Sequence, residues 1–172
     1  MLYEKHYDEV LAFCTRRIGR TEADDATADV FAVAWRRIDE IEWITVRPWL
    51  YGIARGVLAN RRRTGRRQKR LFGRVLGLAP VSGELPDVQV VRRAQDEEVV
   101  AAVRRLKPTD QEVLLLAAWE ELTAPEIAHA IGLSVSATEQ RLHRAKHRLA
   151  KALQSPATVP DMSPRAAEEG GR

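Results

Sequence analysis

From Gly73 to about Gln95 helical periodicity fades, and Gly73, Gly77, Pro80, Ser82, Gly83 and Pro86 fall in that interval. On either side apolar residues recur at three-and-four spacing, so the gap reads as a linker between two helical modules. The expected fold is all-α: two small helical domains, residues 1–72 and 96–153, joined by a flexible linker over 73–95. The tail, residues 154–172, is rich in Pro, Ala, Gly and charge and is expected to be disordered.

In the first module Leu2, His6, Val10, Leu11, Phe13, Cys14, Arg17 and Ile18 follow helical spacing as far as Gly19, a C-terminal stop. Thr21 with Asp24 resembles a capping box. Behind it Ala26, Val30, Val33, Ala34, Ile38 and Ile41 mark one face of a second helix, and Phe31 and Trp35 a neighbouring one. Trp35 at such a position is more often core than contact. Asp24, Asp25 and Asp29 suit the positive end of that helix, a bland explanation that stands beside a protein-docking role. Trp43, Ile44, Thr45 and Val46 form a break, and Pro48 is a favourable first residue for a third helix.

That third helix carries the strongest charge signal. Between Arg47 and Arg74 there are ten Lys/Arg and no Asp or Glu, whereas residues 1–42 hold ten acids against six bases. Leu50, Ile53, Ala54, Val57 and Leu58 should face a core. Tyr51, Arg55 and Arg62 line up opposite, and Gly52, Gly56 and Asn60 make a slim stripe that something can approach closely. A basic run with Trp49 and Tyr51 at its front end points to a polyanion with stackable bases.

In the second module Val99, Val100, Val103 and Leu106 mark a helix that Pro108 ends. Thr109 with Glu112 forms a capping box for the next, which carries Val113, Leu114, Leu116 and Ala117. Thr123 and Glu126 open a short helix with Ile127, Ala128 and Ile131 inward, stopped by Gly132. Ser134, or Ser136 in competition with it, caps a long helix to about Leu153. Two helices joined by a short glycine turn, with a small residue where they cross, are a helix-turn-helix signature. The second helix of such a pair offers Ser136, Glu139, Gln140 and His143 to base edges, while Arg141, Arg144, Lys146 and Arg148 suit phosphates.

Several function classes find no support. Cys14 is alone, and His6, His129, His143 and His147 lack zinc-ligand spacing, so no disulfide, metal or cofactor is expected. No apolar run has membrane-spanning length, and the acidic N-terminus lacks a signal peptide's basic head; a cytoplasmic protein without membrane contact is expected. Neither paired carboxylates, a nucleophile constellation nor a phosphate-cradling glycine loop is present, so the chain reads as a non-enzyme.

With both modules placed, the chain resembles the bacterial RNA polymerase sigma factors, in particular the small two-domain extracytoplasmic-function class of the sigma-70 family. LYEKHYDEVLAFCTRRIG is similar to that family's opening helix and TEADDATADVFAVAWRRI to its polymerase-clamp helix. PWLYGIARGVLANRRR is similar to the helix engaging the minus-ten promoter element, and LTAPEIAHAIGLSVSATEQRLHRAKHRL to the minus-thirty-five reader. The resemblance makes 1–72 region 2-like and 96–153 region 4-like. It implies that Asp25, Asp29, Phe31 and Trp35 dock on the β′ clamp helices of core polymerase, whose β subunit is a further partner. It also implies that the loop Glu42 to Arg47, with Trp43, captures an unstacked base of promoter DNA, with Trp49 and Tyr51 beside it. Arg55, Asn60, Arg61, Arg62 and Arg63 belong to the same minus-ten side. The linker is expected to thread toward the RNA exit path, and an anti-sigma factor is a candidate inhibitor. Gly52 and Gly56 depart from the Arg and Asn the family often carries there, and Thr138 from a β-branched apolar residue.

The implied function is a promoter-specificity subunit that directs recognition and melting of DNA. The alternative from another class is a dimeric helix-turn-helix regulator binding duplex DNA by itself. A gel shift without polymerase separates the two. A helical scaffold without DNA contact would instead be indifferent to salt.

Overall fold

A computed structural model of the chain describes residues 2–41, 45–76 and 94–154, with backbone alone at 66–76 and 94–97. Glu42, Trp43 and Ile44 of the Glu42 to Arg47 loop, most of the expected linker, and the tail beyond Gln154 lie outside the described residues. Among those described all regular structure is helical: α1 (Leu2–Ile18), α2 (Arg20–Arg36), a 3-10 turn (Ile38–Glu40), α3 (Val46–Leu76), α4 (Ala94–Arg104), α5 (Pro108–Ala118), α6 (Ala124–Ile131) and α7 (Val135–Gln154).

The first three helices bury Val10, Phe13, Cys14, Val30, Ala34, Leu50, Ile53, Ala54 and Leu58. Gly19 joins α1 to α2 at φ 79°, a backbone conformation open to glycine, and α2 begins directly at Arg20. The Thr21 box is therefore not the start of this helix: the glycine turn leaves no room for a cap, and Thr21 is already helical. Likewise α3 begins at Val46, so Pro48 lies inside its first turn, where a missing N–H costs nothing. It continues through Gly73 into the segment assigned to the linker. One glycine, at about 1 kcal/mol, does not end so long a helix.

The last four helices enclose Ala102, Val113, Leu116, Leu122, Ile127, Ala128 and Ala145. Lys107, not Thr109, is the N-cap of α5, because Pro108 takes the first helical position with its φ already set. Glu121, a non-glycine residue at φ 54°, reverses the chain after α5, and Leu122 donates its N–H to Leu116 O at 3.1 Å. This turn directs Glu120 and Leu122 inward.

The two modules also pack on each other, α6 lying along α3, and their apolar residues form one continuous cluster. A Cβ at Gly52 would stand 3.1 Å from Ala130 O, so the glycine stripe is where α6 approaches. Among the described residues no helix is long and apolar enough to cross a membrane.

Candidate nucleic-acid interface

The turn before α7 is built from four local features. Thr123 donates its backbone N–H (2.8 Å) and hydroxyl (2.7 Å) to one Glu126 oxygen, fixing the start of α6 and holding the Glu126 carboxyl below its ordinary value. Gly132, at φ 70°, ends α6, and Leu133 N–H reaches back to Ala128 O at 3.0 Å. Ser134, rather than Ser136, caps α7, its Oγ accepting the Ala137 N–H at 3.2 Å. Thr138 is fully buried, and its hydroxyl donates to Ser134 O at 3.0 Å, so the hydroxyl that departs from the family's apolar choice is satisfied.

These features leave Ser136, Glu139, Gln140, His143, Arg144 and Lys146 exposed. Glu139, Gln140, His143 and Arg144 line one shallow depression on the outer face of α7. The face offers an amide and a carboxylate flanked by cations, side chains whose donors and acceptors can pair with base edges and phosphates. Arg141 is half-buried. Arg148 is tied to the buried Asp110 carboxylate, an ion pair that gives it a structural partner inside the protein.

The face of α3 differs from expectation. Tyr51 is 2% exposed and stacks on Phe13, the ring centroids 4.8 Å apart, and Trp49 is buried as well. The expectation that Tyr51 lies opposite the core fails because α1 and the second module cover this side too. Burial pushes the Tyr51 phenol above its ordinary value, opposed by a hydrogen bond from Arg47. Arg55 donates from Nε to Glu112 at 3.0 Å and from Nη1 to Ala130 O at 2.8 Å. Arg47 donates to Glu120 O at 3.0 Å, and Arg62 to Arg17 O at 3.4 Å. Asn60 and Arg63 are exposed.

On α2, Asp25 is exposed, and Asp29 accepts from Arg61 Nε at 2.9 Å, joining a residue assigned to polymerase with one assigned to DNA. Trp35 is 77% exposed, contrary to the expectation of a core tryptophan. Phe31 is buried against Tyr3, 4.9 Å between centroids, and Tyr7 lies 6.3 Å away. Tyr3 and Tyr7, missed from the sequence, are an aromatic pair at four-residue spacing on α1, the one signal that could have revealed them. Glu112, read from the sequence only as a capping-box residue, and Glu120, missed altogether, supply the counter-charge that the basic stretch lacks. No local pattern reveals that role. Among the described residues no group of three or more His, Cys, Asp or Glu could hold a metal ion.

Comparison with known proteins follows the same division. Residues 2–68 match the family model for sigma-70 region 2, and residues 96–149 that for sigma-70 region 4. The chain is 31% identical over 153 residues to the RNA polymerase sigma factor YlaC of Bacillus subtilis (strain 168), covering 87% of this chain and 88% of that one. It is 29% identical over 160 residues to the RNA polymerase sigma factor NccH of Alcaligenes xylosoxydans xylosoxydans, covering 90% and 86%. Among solved structures, CnrH in complex with the cytosolic domain of CnrY superposes with a TM-score of 0.57 at 25% identity, covering 91% of this chain and 87% of that one. The sigma factor RpoE in complex with the anti-sigma factor NepR from Bartonella quintana shares the fold, with a TM-score of 0.62 at 19% identity, covering 90% and 95%.

Proposed function

Because the chain belongs to the sigma-70 family, as an RNA polymerase sigma factor of the extracytoplasmic-function class, we propose that it docks on core polymerase through α2 and reads promoter DNA with α7 and α3. The observation that carries this reading is the α7 face: Ser136, Glu139, Gln140 and His143 stand exposed over the first turns after a glycine turn. Gln140 and Glu139 pair with adenine and cytosine edges of the minus-thirty-five element. Arg141, Arg144 and Lys146 hold phosphates and set register without reading sequence.

On the other module Asp25, Asp29 and the exposed Trp35 present acid beside an aromatic ring, a surface suited to the basic β′ clamp helices. Phe31 supports it from beneath, with Tyr3 and Tyr7. Trp43, Arg47, Arg55 and Asn60 through Arg63 serve the minus-ten element and its opened strand, and the buried Trp49 and Tyr51 support that face from the core. Residues 1–72 and 96–153 act as the two readers. Each can bind weakly, because the second contact becomes intramolecular once the first has formed. Nucleotidyl transfer belongs to the polymerase, so the chain is no enzyme and works in the cytoplasm. The complexes of RpoE with NepR and of CnrH with CnrY make an anti-sigma factor a reasonable partner here as well.

Run-off transcription on genomic fragments, with purified core polymerase and this chain, tests the reading. Initiation at sequences that core polymerase alone ignores supports it; identical transcripts with and without the chain refute it.

A further inference from the structure

Three guanidinium groups of the first module, those of Arg16, Arg17 and Arg55, converge on two carboxylates of the second. Glu120, with its side chain 1% exposed, accepts from Arg17 Nη1 at 2.9 Å and from Arg16. Glu112 accepts from Arg55 and lies 3.7 Å from Arg17. Arg47 adds its bond to the Glu120 carbonyl, and its Nε lies 3.5 Å from the Glu9 carboxylate of its own module. Even so, Arg16 Nε, Arg17 Nε and Nη2, and Arg47 Nε are buried with no hydrogen-bond acceptor. The cluster therefore has more donors than the Glu9, Glu112 and Glu120 carboxylates use, and a chain of phosphates carries more acceptors.

Two backbone features hold the carboxylates in place. Gly52 admits Ala130 O against α3, and Glu121 adopts φ 54° beside Glu120, a left-handed conformation uncommon for a side-chain-bearing residue. Neither is needed for the helix-turn-helix face, which lies on the outside of α7.

We infer that Arg16, Arg17, Arg47 and Arg55 form one phosphate-binding site on the first module, and that Glu112 and Glu120 fill it in the closed form. The ligand class is a single nucleic-acid strand bound through its backbone. This rests on the proposed reading that α3 engages opened promoter DNA, and it adds two α1 arginines to that surface. The free chain is then held off single strands until the modules part. Its apparent dissociation constant is the intrinsic one divided by the open fraction.

The test uses the full chain in three forms: unaltered, Glu112→Gln with Glu120→Gln, and Gly52→Leu. The leucine raises helix propensity in α3 while wedging against Ala130 O, a backbone atom that cannot swing aside, so α3 keeps its fold. Dyes on Ala32→Cys and His147→Cys, both exposed positions, report module separation, the buried Cys14 staying unlabelled. Binding to a short single-stranded oligothymidylate is measured across a salt series. Both altered forms should show lengthened dye distances and, for a closed state favoured about tenfold, bind about tenfold more tightly. Adding Arg16→Gln to the Gly52→Leu form should lower the salt slope by about 0.7, the single-strand value per phosphate.

Unchanged distances in both altered forms would overturn the closed-form half of the inference. Opened modules without tighter binding, or a salt slope indifferent to Arg16→Gln, would overturn the phosphate half. A chain that opens and binds strands as described yet fails in run-off transcription would sink the promoter reading alone.

Discussion

Arg148 sits where a phosphate clamp is expected, yet its guanidinium is spent on Asp110, whose side chain is 6% exposed. Replacing Arg148 with Ala would leave that carboxylate buried without a cation. Breaking a fully buried pair costs about 3–5 kcal/mol. Arg148 itself is 47% exposed, so water screens part of the interaction, and a cost of about 1–2 kcal/mol is the better figure. For a small module each kcal/mol moves the thermal midpoint by about 4–8 °C. Circular dichroism melts of the full chain should therefore show the helix-turn-helix module unfolding roughly 5–15 °C lower. The salt slope of holoenzyme binding to promoter DNA should be the same as for the unaltered chain. Lys146→Ala, at an exposed position with no carboxylate partner among the described residues, should do the reverse: an unchanged melt and a slope smaller by about 0.9. A stable Arg148→Ala protein with a reduced slope would refute the assignment and return Arg148 to the DNA backbone.

Gln140→Ala should cost about 1–3 kcal/mol at a single base pair of the upstream element, measured by holoenzyme competition with point-substituted promoters; equal loss at every sequence would move Gln140 to the backbone. Asp29→Lys should abolish co-purification with core polymerase while the fold persists, since losing its exposed pair with Arg61 costs no more than about 1 kcal/mol. Normal co-purification would remove Asp29 from the docking surface. The Glu126 carboxyl titrates below its ordinary value because Thr123 donates to it. Its stabilising contribution is therefore present above about pH 4.3 and lost as pH falls through the lower folded value. The stability gap to Glu126→Gln should be constant near neutrality and close in acid; a gap that widens in acid would contradict the sign.

The helix-turn-helix was legible because its signals are local. A Thr123–Glu126 box, a left-handed Gly132 and the Ser134 cap each act within four residues of chain, and each is found where the spacing places it. Helix starts were misread where two local signals competed. Pro108 prevails over Thr109, and Gly19 over Thr21, because a preset φ or a tight turn leaves a cap nothing to do.

The larger errors concern what covers a surface. Periodicity along α3 identifies the stripe facing its own module, but a second buried side looks like a solvated basic face until the other module is placed against it. Tyr51 and Arg55 are misjudged for that reason, and the carboxylates answering the basic stretch lie at Glu112 and Glu120, far away in sequence. The glycine stripe was the one hint: Gly52 signalled a close approach without saying whose. Trp35 errs in the opposite direction, since its helical spacing fits a core that the three-helix unit does not extend to.

The account's central claim is that this chain confers promoter choice on an enzyme that lacks it. Run-off transcription of genomic fragments by reconstituted holoenzyme measures that most directly. The predicted result is discrete transcripts absent with core polymerase alone, whose start sites share two upstream elements and which disappear with Asp29→Lys. Transcripts indistinguishable from those of the bare enzyme would contradict it.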